Sequence, residues 1–266
     1  MKGIADYVFS DHLGDGNHGS FWLAAAPPRL GLEPGTALAV KTLANRANDD
    51  DFRRMANELR IYAIVTSPDL VQILDAGQDH GRLFYAMRHL PDGSLARPAR
   101  PLERSIVVGA VAAAARAAHH LHEVGIAHRD IKPSNILLDG ERGRLADLGL
   151  AQIVNPGQAA TGIGPVGTIE FLAPEVVKGA EASRASDVWS LGVTLHSVLT
   201  GRRMYVPTSS GSLIDTLRQV ITDTPVIDGS LGRPEAAIIE RCLEPDPADR
   251  FPTAAALATA LEEITR

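Results

Sequence analysis

The sequence predicts an α+β chain in two lobes, and three observations carry that expectation. Residues 1–88 read mainly as strands punctuated by glycine-marked turns, residues 89–266 read as alanine-rich helices around one loop-dense stretch, and no repeat or low-complexity linker interrupts either part. The chain has 266 residues, 45% apolar and 22% charged, enough for sizeable cores and unlike disordered or collagenous chains. A net charge of −6 argues against a nucleic-acid-binding surface. Cys242 is the single cysteine, which excludes an internal disulfide or a Cys-based zinc site. No apolar run of signal-peptide length follows Met1, and the run at 106–115, between Arg104 and Arg116, is too short to span a bilayer. The expectation is therefore a cytoplasmic protein without a membrane segment.

The elements follow in order. Residues 7–13 and 20–26 flank a glycine-rich turn and predict a hairpin, and after the turn-rich 27–35 a third strand is expected over 37–43. Phe52, Met55, Leu59, Tyr62 and Ala63 recur at helical spacing behind the acidic start Asp49-Asp50-Asp51. Residues 71–76 and 83–87 return to strand character, with Gly77 and Gly81 between them. A turn at 88–93 is the expected hinge. A long helix is predicted over 102–124, stopped by Gly125, and further helices over 183–200, 213–222, 235–243 and 253–264.

Gly14-Asp-Gly16-Asn-His-Gly19 is a GxGxxG that continues as strand, whereas a dinucleotide-binding version would open a helix. A glycine hairpin of this kind can lie over phosphates and offer unobstructed N–H groups. Lys41 stands mid-strand, 22 residues past Gly19, and is one of only four lysines in a chain rich in arginine. That scarcity suits a site where a compact ammonium is needed. Glu58, on the helix that follows, can orient that ammonium. The densest polar cluster is His128-Arg129-Asp130-Ile131-Lys132-Pro133-Ser134-Asn135, followed by Asp147-Leu148-Gly149. It supplies a carboxylate to deprotonate a hydroxyl (Asp130), an ammonium for a phosphoryl oxygen (Lys132) and two oxygen ligands for magnesium (Asn135, Asp147). His119, His120 and His122 include an i, i+3 pair read as structural, and Trp189 and Cys242 are read as packing residues.

With these motifs the chain resembles the catalytic domain of eukaryotic-like (Hanks-type) serine/threonine protein kinases, bacterial branch, over residues 8–264. The resemblance implies a bilobal protein-kinase fold, with a small antiparallel-sheet lobe carrying one helix and a larger, mainly helical lobe. It implies ATP and Mg2+ as cofactors, protein Ser/Thr hydroxyls as substrates, the chain itself among them, and no nucleic acid. Gly14, Gly16 and Gly19 would cover the phosphates. Phe21, Ala39, Met87 and Leu137 would enclose the adenine, Met87 as gatekeeper, with hinge backbone groups at Arg88 and Leu90. Asp130, Lys132, Lys41 and Glu58 would be catalytic, and Asn135 and Asp147 the metal ligands. Gly167 to Glu175, ending in Ala173-Pro174-Glu175, matches the substrate-binding segment, and Glu175 is expected to pair with Arg250. Thr168 would hydrogen-bond Asp130 and Lys132. Thr161 is the expected regulatory phosphorylation site, with Arg129 and Arg54 to receive the phosphate.

Four positions depart from the family pattern: Leu148 for the usual Phe, Phe21 for a valine over the adenine, Phe171 for a frequent Tyr, and Gln152 where a basic residue is common. Two other functions fit the same polar core: a small-molecule phosphotransferase of the antibiotic-modifying type, and a pseudokinase acting as a binding module. Lys132, the segment ending in Glu175 and Asp187-Val-Trp189-Ser-Leu-Gly192 point to protein substrates.

Overall fold

A computed structural model describes residues 3–16, 19–42, 49–148, 152–153, 169–205 and 213–265, without the side chains of residues 16, 49–55, 152–153 and 213. The chain divides into two compact units, one of residues 1–66 and 71–91, the other of 67–70 and 92–266.

The first unit is one antiparallel sheet with a helix. Its strands are β1 (Gly3–Ile4), β2 (Tyr7–Gly16), β3 (Gly19–Ala25), β4 (Ala37–Thr42), β5 (Ile73–Asp79) and β6 (Arg82–Arg88), in the order β1-β2-β3-β4-β6-β5, and α1 spans Asp49–Ile64. Strand alternation sorts its faces. Leu38 and Val40 of β4, Phe84 and Ala86 of β6, and Tyr7, Phe9 and Ala24 pack into one core. The residues between them in sequence, Ala39 and Lys41 on β4 and Tyr85 and Met87 on β6, therefore share the opposite face, in register as Ala39↔Met87 and Lys41↔Tyr85. Phe21 on β3 joins that face as the other cross-strand partner of Lys41.

The glycine hairpin is the pairing of β2 with β3, and it carries a register shift between His12 and Gly14. Gly14 sits at φ +140°, which a side chain would oppose, so the bulge requires glycine there. Gly77 does not end a strand as expected from sequence. β5 runs through it, glycine suits the position because a Cβ there would press the Phe84 ring at 2.9 Å, and the turn falls instead at His80-Gly81, both at positive φ.

In the second unit the helices are α2 (Arg104–Glu123), α3 (Pro174–Val177), α4 (Arg184–Thr200), α5 (Leu213–Thr222), α6 (Arg233–Cys242) and α7 (Ala254–Glu263). Short strands accompany them: β7 (Gly93–Ser94), β8 (Arg97–Pro98), β9 (Ile126–Ala127), β10 (Ile136–Asp139), β11 (Arg142–Leu145) and β12 (Gln152–Ile153), paired as β11-β10-β7-β8 and β12-β9. The alanine run of α2 has a packing reason. Its Ala110 backbone lies so close to β11 that a Cβ on Gly143 would meet the Ala110 carbonyl at 2.4 Å. Gly192 does the same for α4 against Cys242 of α6, so the lone cysteine is a buried packing residue whose thiol pKa is pushed up by burial. Ser183 opens α4 with a capping box to Ser186, and Gly201 closes it in the left-handed conformation. Residues 67–70 join this unit through Asp69, which takes a bidentate hydrogen bond from Arg116 at 2.9 and 3.1 Å. Among the described residues no helix is long and apolar enough to cross a membrane.

Candidate active site

In the first unit, Lys41 and Glu58 come together as expected from their strand and helix placement. Both are 3% exposed, and Lys41 Nζ lies 3.7 Å from Glu58 Oε2. Burying two charges this deeply demands further polar partners. One of them is the Tyr85 hydroxyl, which donates to Glu58 Oε1 at 2.9 Å. The ammonium also lies 5.5 Å from the Phe21 ring centre and 5.3 Å from that of Tyr85, within cation–π range of both. Ala39 and Met87 are buried on the same face, Arg88 is exposed, Leu90 is half-buried, and His89 N–H donates to the Ala37 carbonyl just past β6.

In the second unit, the loop between β9 and β10 is suspended from α4. The fully buried Asp187 accepts the His128 N–H at 2.8 Å and the Arg129 N–H at 3.0 Å, and its Oδ2 lies 2.7 Å from His122 Nε2 on α2. Burial alone would raise the Asp187 pKa, but these hydrogen bonds and the nearby imidazoles hold it below the ordinary carboxylate range. Anchored in this way, Arg129 adopts φ +70°, a strained conformation for a non-glycine residue. The His128 ring lies wholly inside, with Nε2 3.2 Å from the Ala146 carbonyl and Nδ1 accepting the Asp130 N–H at 3.3 Å.

Asp130 is thereby aimed, at 3% exposure, into a ring of donors. Lys132 Nζ lies 2.9 Å from its carboxylate, and Asn135 Nδ2 donates to its carbonyl at 2.8 Å and its Oδ2 at 3.0 Å. Burial raises the Asp130 pKa, the Lys132 ammonium opposes the rise, and the charge of Asp147 adds to it. With the Asn135 amide nitrogen turned to Asp130, its Oδ1 is left as the acceptor end of the amide, reached by the Ser134 hydroxyl at 3.4 Å. The Ala146 N–H bonds the Asn135 carbonyl at 2.8 Å, bringing Asp147 beside the loop at φ +62°. Two hard oxygen donors, one of them anionic, fit a cation such as Mg2+ that keeps water and takes its other ligands from phosphate. Among the described residues no group of three or more His, Cys, Asp or Glu side chains is placed to hold a metal ion. Leu137 is half-buried on β10.

The expected Glu175–Arg250 pair forms with a bidentate fork at 2.7 and 3.0 Å, and the guanidinium also donates to the Glu244 and Ala185 carbonyls and stacks over Trp189. Thr161 and Thr168 lie outside the described residues, as does the side chain of Arg54. Arg129 is half-buried near Asp187. Sequence reasoning missed Tyr85 and the anchoring role of Asp187, whereas His122, read there as structural, meets Asp187 in the interior. The signal for Tyr85 was the alternation in Leu83-Phe84-Tyr85-Ala86-Met87, which puts it on the face of Lys41.

Residues 7–261 match the protein kinase domain. The chain belongs to the protein kinase family. Its architecture is the bilobal α+β protein-kinase fold. The chain is 37% identical over 239 residues to the serine/threonine-protein kinase PknK of Mycobacterium bovis, covering 86% of this chain and 21% of that one. It is 32% identical to the serine/threonine-protein kinase PkaA of Streptomyces coelicolor, covering 97% of this chain and 50% of that one. It is 35% identical over 68% of its length to the DNA damage-responsive serine/threonine-protein kinase RqkA of Deinococcus radiodurans, covering 28% of that protein. This kinase domain thus spans between about a fifth and a half of the length of these relatives. Membership in the family carries with it the use of ATP and a divalent metal.

Proposed function

We propose that this kinase domain transfers the γ-phosphoryl group of ATP to a serine or threonine hydroxyl of a protein, its own chain included, in the cytoplasm and with Mg2+ as the metal. The observation that carries the proposal is the buried Asp130 carboxylate, fixed by Lys132 and Asn135 on a loop hung from Asp187. Names of relatives as serine/threonine kinases support protein hydroxyls over small molecules as acceptors.

In this reading Asp130 accepts the proton of the attacking hydroxyl as its oxygen bonds to the γ-phosphorus and the bridging bond to ADP breaks. The upward-shifted pKa makes this carboxylate a better proton acceptor than an exposed aspartate. Lys132 balances the negative charge on the transferring group, and Lys41, oriented by Glu58, neutralises phosphate oxygens of the nucleotide. Asn135 and Asp147 would hold Mg2+, which when bound supplies further positive charge against those oxygens. Gly14, Gly16 and Gly19 offer N–H groups to phosphate. Phe21, Ala39, Met87 and Leu137 offer apolar contact to the base, and Arg88 and Leu90 offer backbone groups to its edge. Thr161 is the proposed autophosphorylation site, read by Arg129 and Arg54, while modification of Thr168 would block the loop.

The test is incubation with γ-labelled ATP, Mg2+ and a generic protein acceptor. Label is expected in the acceptor, and in the chain at Thr161 by mass spectrometry, with wild type and not with Asp130→Asn. Label confined to a small-molecule hydroxyl, or equal labelling by Asp130→Asn, would overturn the proposal.

A further inference from the structure

Phe21, Lys41 and Tyr85 are cross-strand partners in one row over the adjacent strands β3, β4 and β6, and the row faces away from the core of Phe84, Val40 and Ala86. The lysine is thus walled on both sides by aromatic rings at 5.5 and 5.3 Å. Its separation of 3.7 Å from Glu58 Oε2 is an ion pair without the closeness of a hydrogen bond. A directional bond to that carboxylate comes from β6: Tyr85 Oη donates to Oε1 at 2.9 Å. The two carboxylate oxygens are therefore divided, one fixed to β6 by the tyrosine and the other turned to the ammonium.

We propose that Tyr85 is a positioning residue, anchoring Glu58 and hence α1 to β6 so that the carboxylate holds its place when the Lys41 ammonium turns to phosphate. The role presupposes the phosphate-binding part assigned above to Lys41. A hydrogen bond from a neutral hydroxyl to a buried carboxylate is among the stronger ones, and its loss would be felt in the docking of the helix that carries Glu58. The ring serves separately, as one wall for the ammonium. Phenylalanine at position 85 would keep the wall and lose the anchor, and leucine would lose both.

The experiment uses the full chain as wild type, Tyr85→Phe, Tyr85→Leu, Glu58→Gln and the double variant Tyr85→Phe/Glu58→Gln. Amide hydrogen exchange over residues 56–64 is read without nucleotide, and kcat and KM for Mg-ATP with it. Tyr85→Phe is expected to speed exchange in 56–64 by about ten-fold and to lower kcat by about ten-fold with KM nearly unchanged. Tyr85→Leu should lose more than Tyr85→Phe, and in the Glu58→Gln background Tyr85→Phe should cost nothing further. Exchange and kcat of Tyr85→Phe at wild-type values would overturn the proposal, as would an equal loss in the Glu58→Gln background. Faster exchange in a chain that transfers no phosphate at all would uphold the anchor and refute the kinase reading.

Discussion

The Lys41–Glu58 pair of the first unit is buried at both partners, the Glu175–Arg250 pair of the second joins a buried arginine to a half-buried glutamate, and they are built in opposite ways. Arg250 is held by a two-pronged fork to Glu175, by two backbone carbonyls and by the face of Trp189. Every part of its planar guanidinium has a fixed neighbour, as expected of a group that only holds structure together. Lys41 is a point charge at 3.7 Å from one carboxylate oxygen, walled by rings that give it attraction without direction. Its ammonium is compact where the guanidinium is planar, and it has no fork geometry to match. The contrast is between a planar fork that ties segments of the second unit together and a point charge between rings, the group that the proposed function turns to phosphate.

Removing the cation from each pair should separate the two roles most sharply. Arg250→Met leaves Glu175 and two carbonyls without their donor and should cost about 3–5 kcal/mol of stability, read as a lowered denaturation midpoint. Lys41→Met should lower kcat for phosphotransfer by about 10²-fold or more in protein that remains folded, and because it leaves the buried Glu58 with the Tyr85 hydroxyl but without its cation, some loss of midpoint accompanies it. A variant pair with the effects exchanged would contradict the assignment.

Asp187 extends the comparison to a buried charge that holds the loop carrying Asp130. Asp187→Asn presents an amide to two N–H donors and should cost about 3 kcal/mol. The folded-state pKa of Asp187 is depressed below its unfolded value. Its contribution is therefore present above the unfolded pKa and disappears as pH falls through the folded one. Urea denaturation at stepped pH should find wild type and variant far apart at neutrality and converging below about pH 4. Asp130 shifts the other way. Its raised pKa places the acid limb of kcat/KM above the ordinary aspartate range, and Lys132→Met, by removing the charge that opposes the rise, should move that limb higher still. An unmoved limb would show that Lys132 does not face the ionising carboxylate in solution.

Much of this was legible because the relevant residues lie close in sequence or on elements of clear period. Asp130, Lys132 and Asn135 sit within one short loop, so their cluster needed no tertiary knowledge, and Lys41 and Glu58 are placed by one strand and one helix. What was not legible depends on distance or on shape. His122 and Asp187 meet across 65 residues, and no local pattern announces which side chain fills the space between two helices. Tyr85 could be assigned to the face of Lys41, but its reach to Glu58 depends on where α1 docks. Gly77 was misread because a glycine in a strand looks like a turn until the Phe84 ring beside it is seen. Strands of two residues, such as β7, β9 and β12, have too little length to show any period.

The smallest effect is expected where the ion-pair geometry is tighter than that of Lys41–Glu58. Arg29, 44% exposed, donates to Asp6 at 2.8 and 3.0 Å and also reaches Asp75, and it lies over the Tyr7 ring. By distance alone this network outranks the Lys41–Glu58 pair. Arg29 and Asp6 remain largely hydrated, however, so their attraction is weakened by water and screened by salt, and only Asp75 is mostly covered. Asp75 moreover keeps the Tyr7 hydroxyl as a donor when the arginine is gone. Arg29→Met should accordingly cost at most about 1 kcal/mol, the loss should shrink further in 1 M salt, and phosphotransfer should be unchanged. Denaturation curves at low and high salt measure this directly. A loss as large as that of Arg250→Met, insensitive to salt, would mean that short distances and not burial set the worth of an ion pair in this fold.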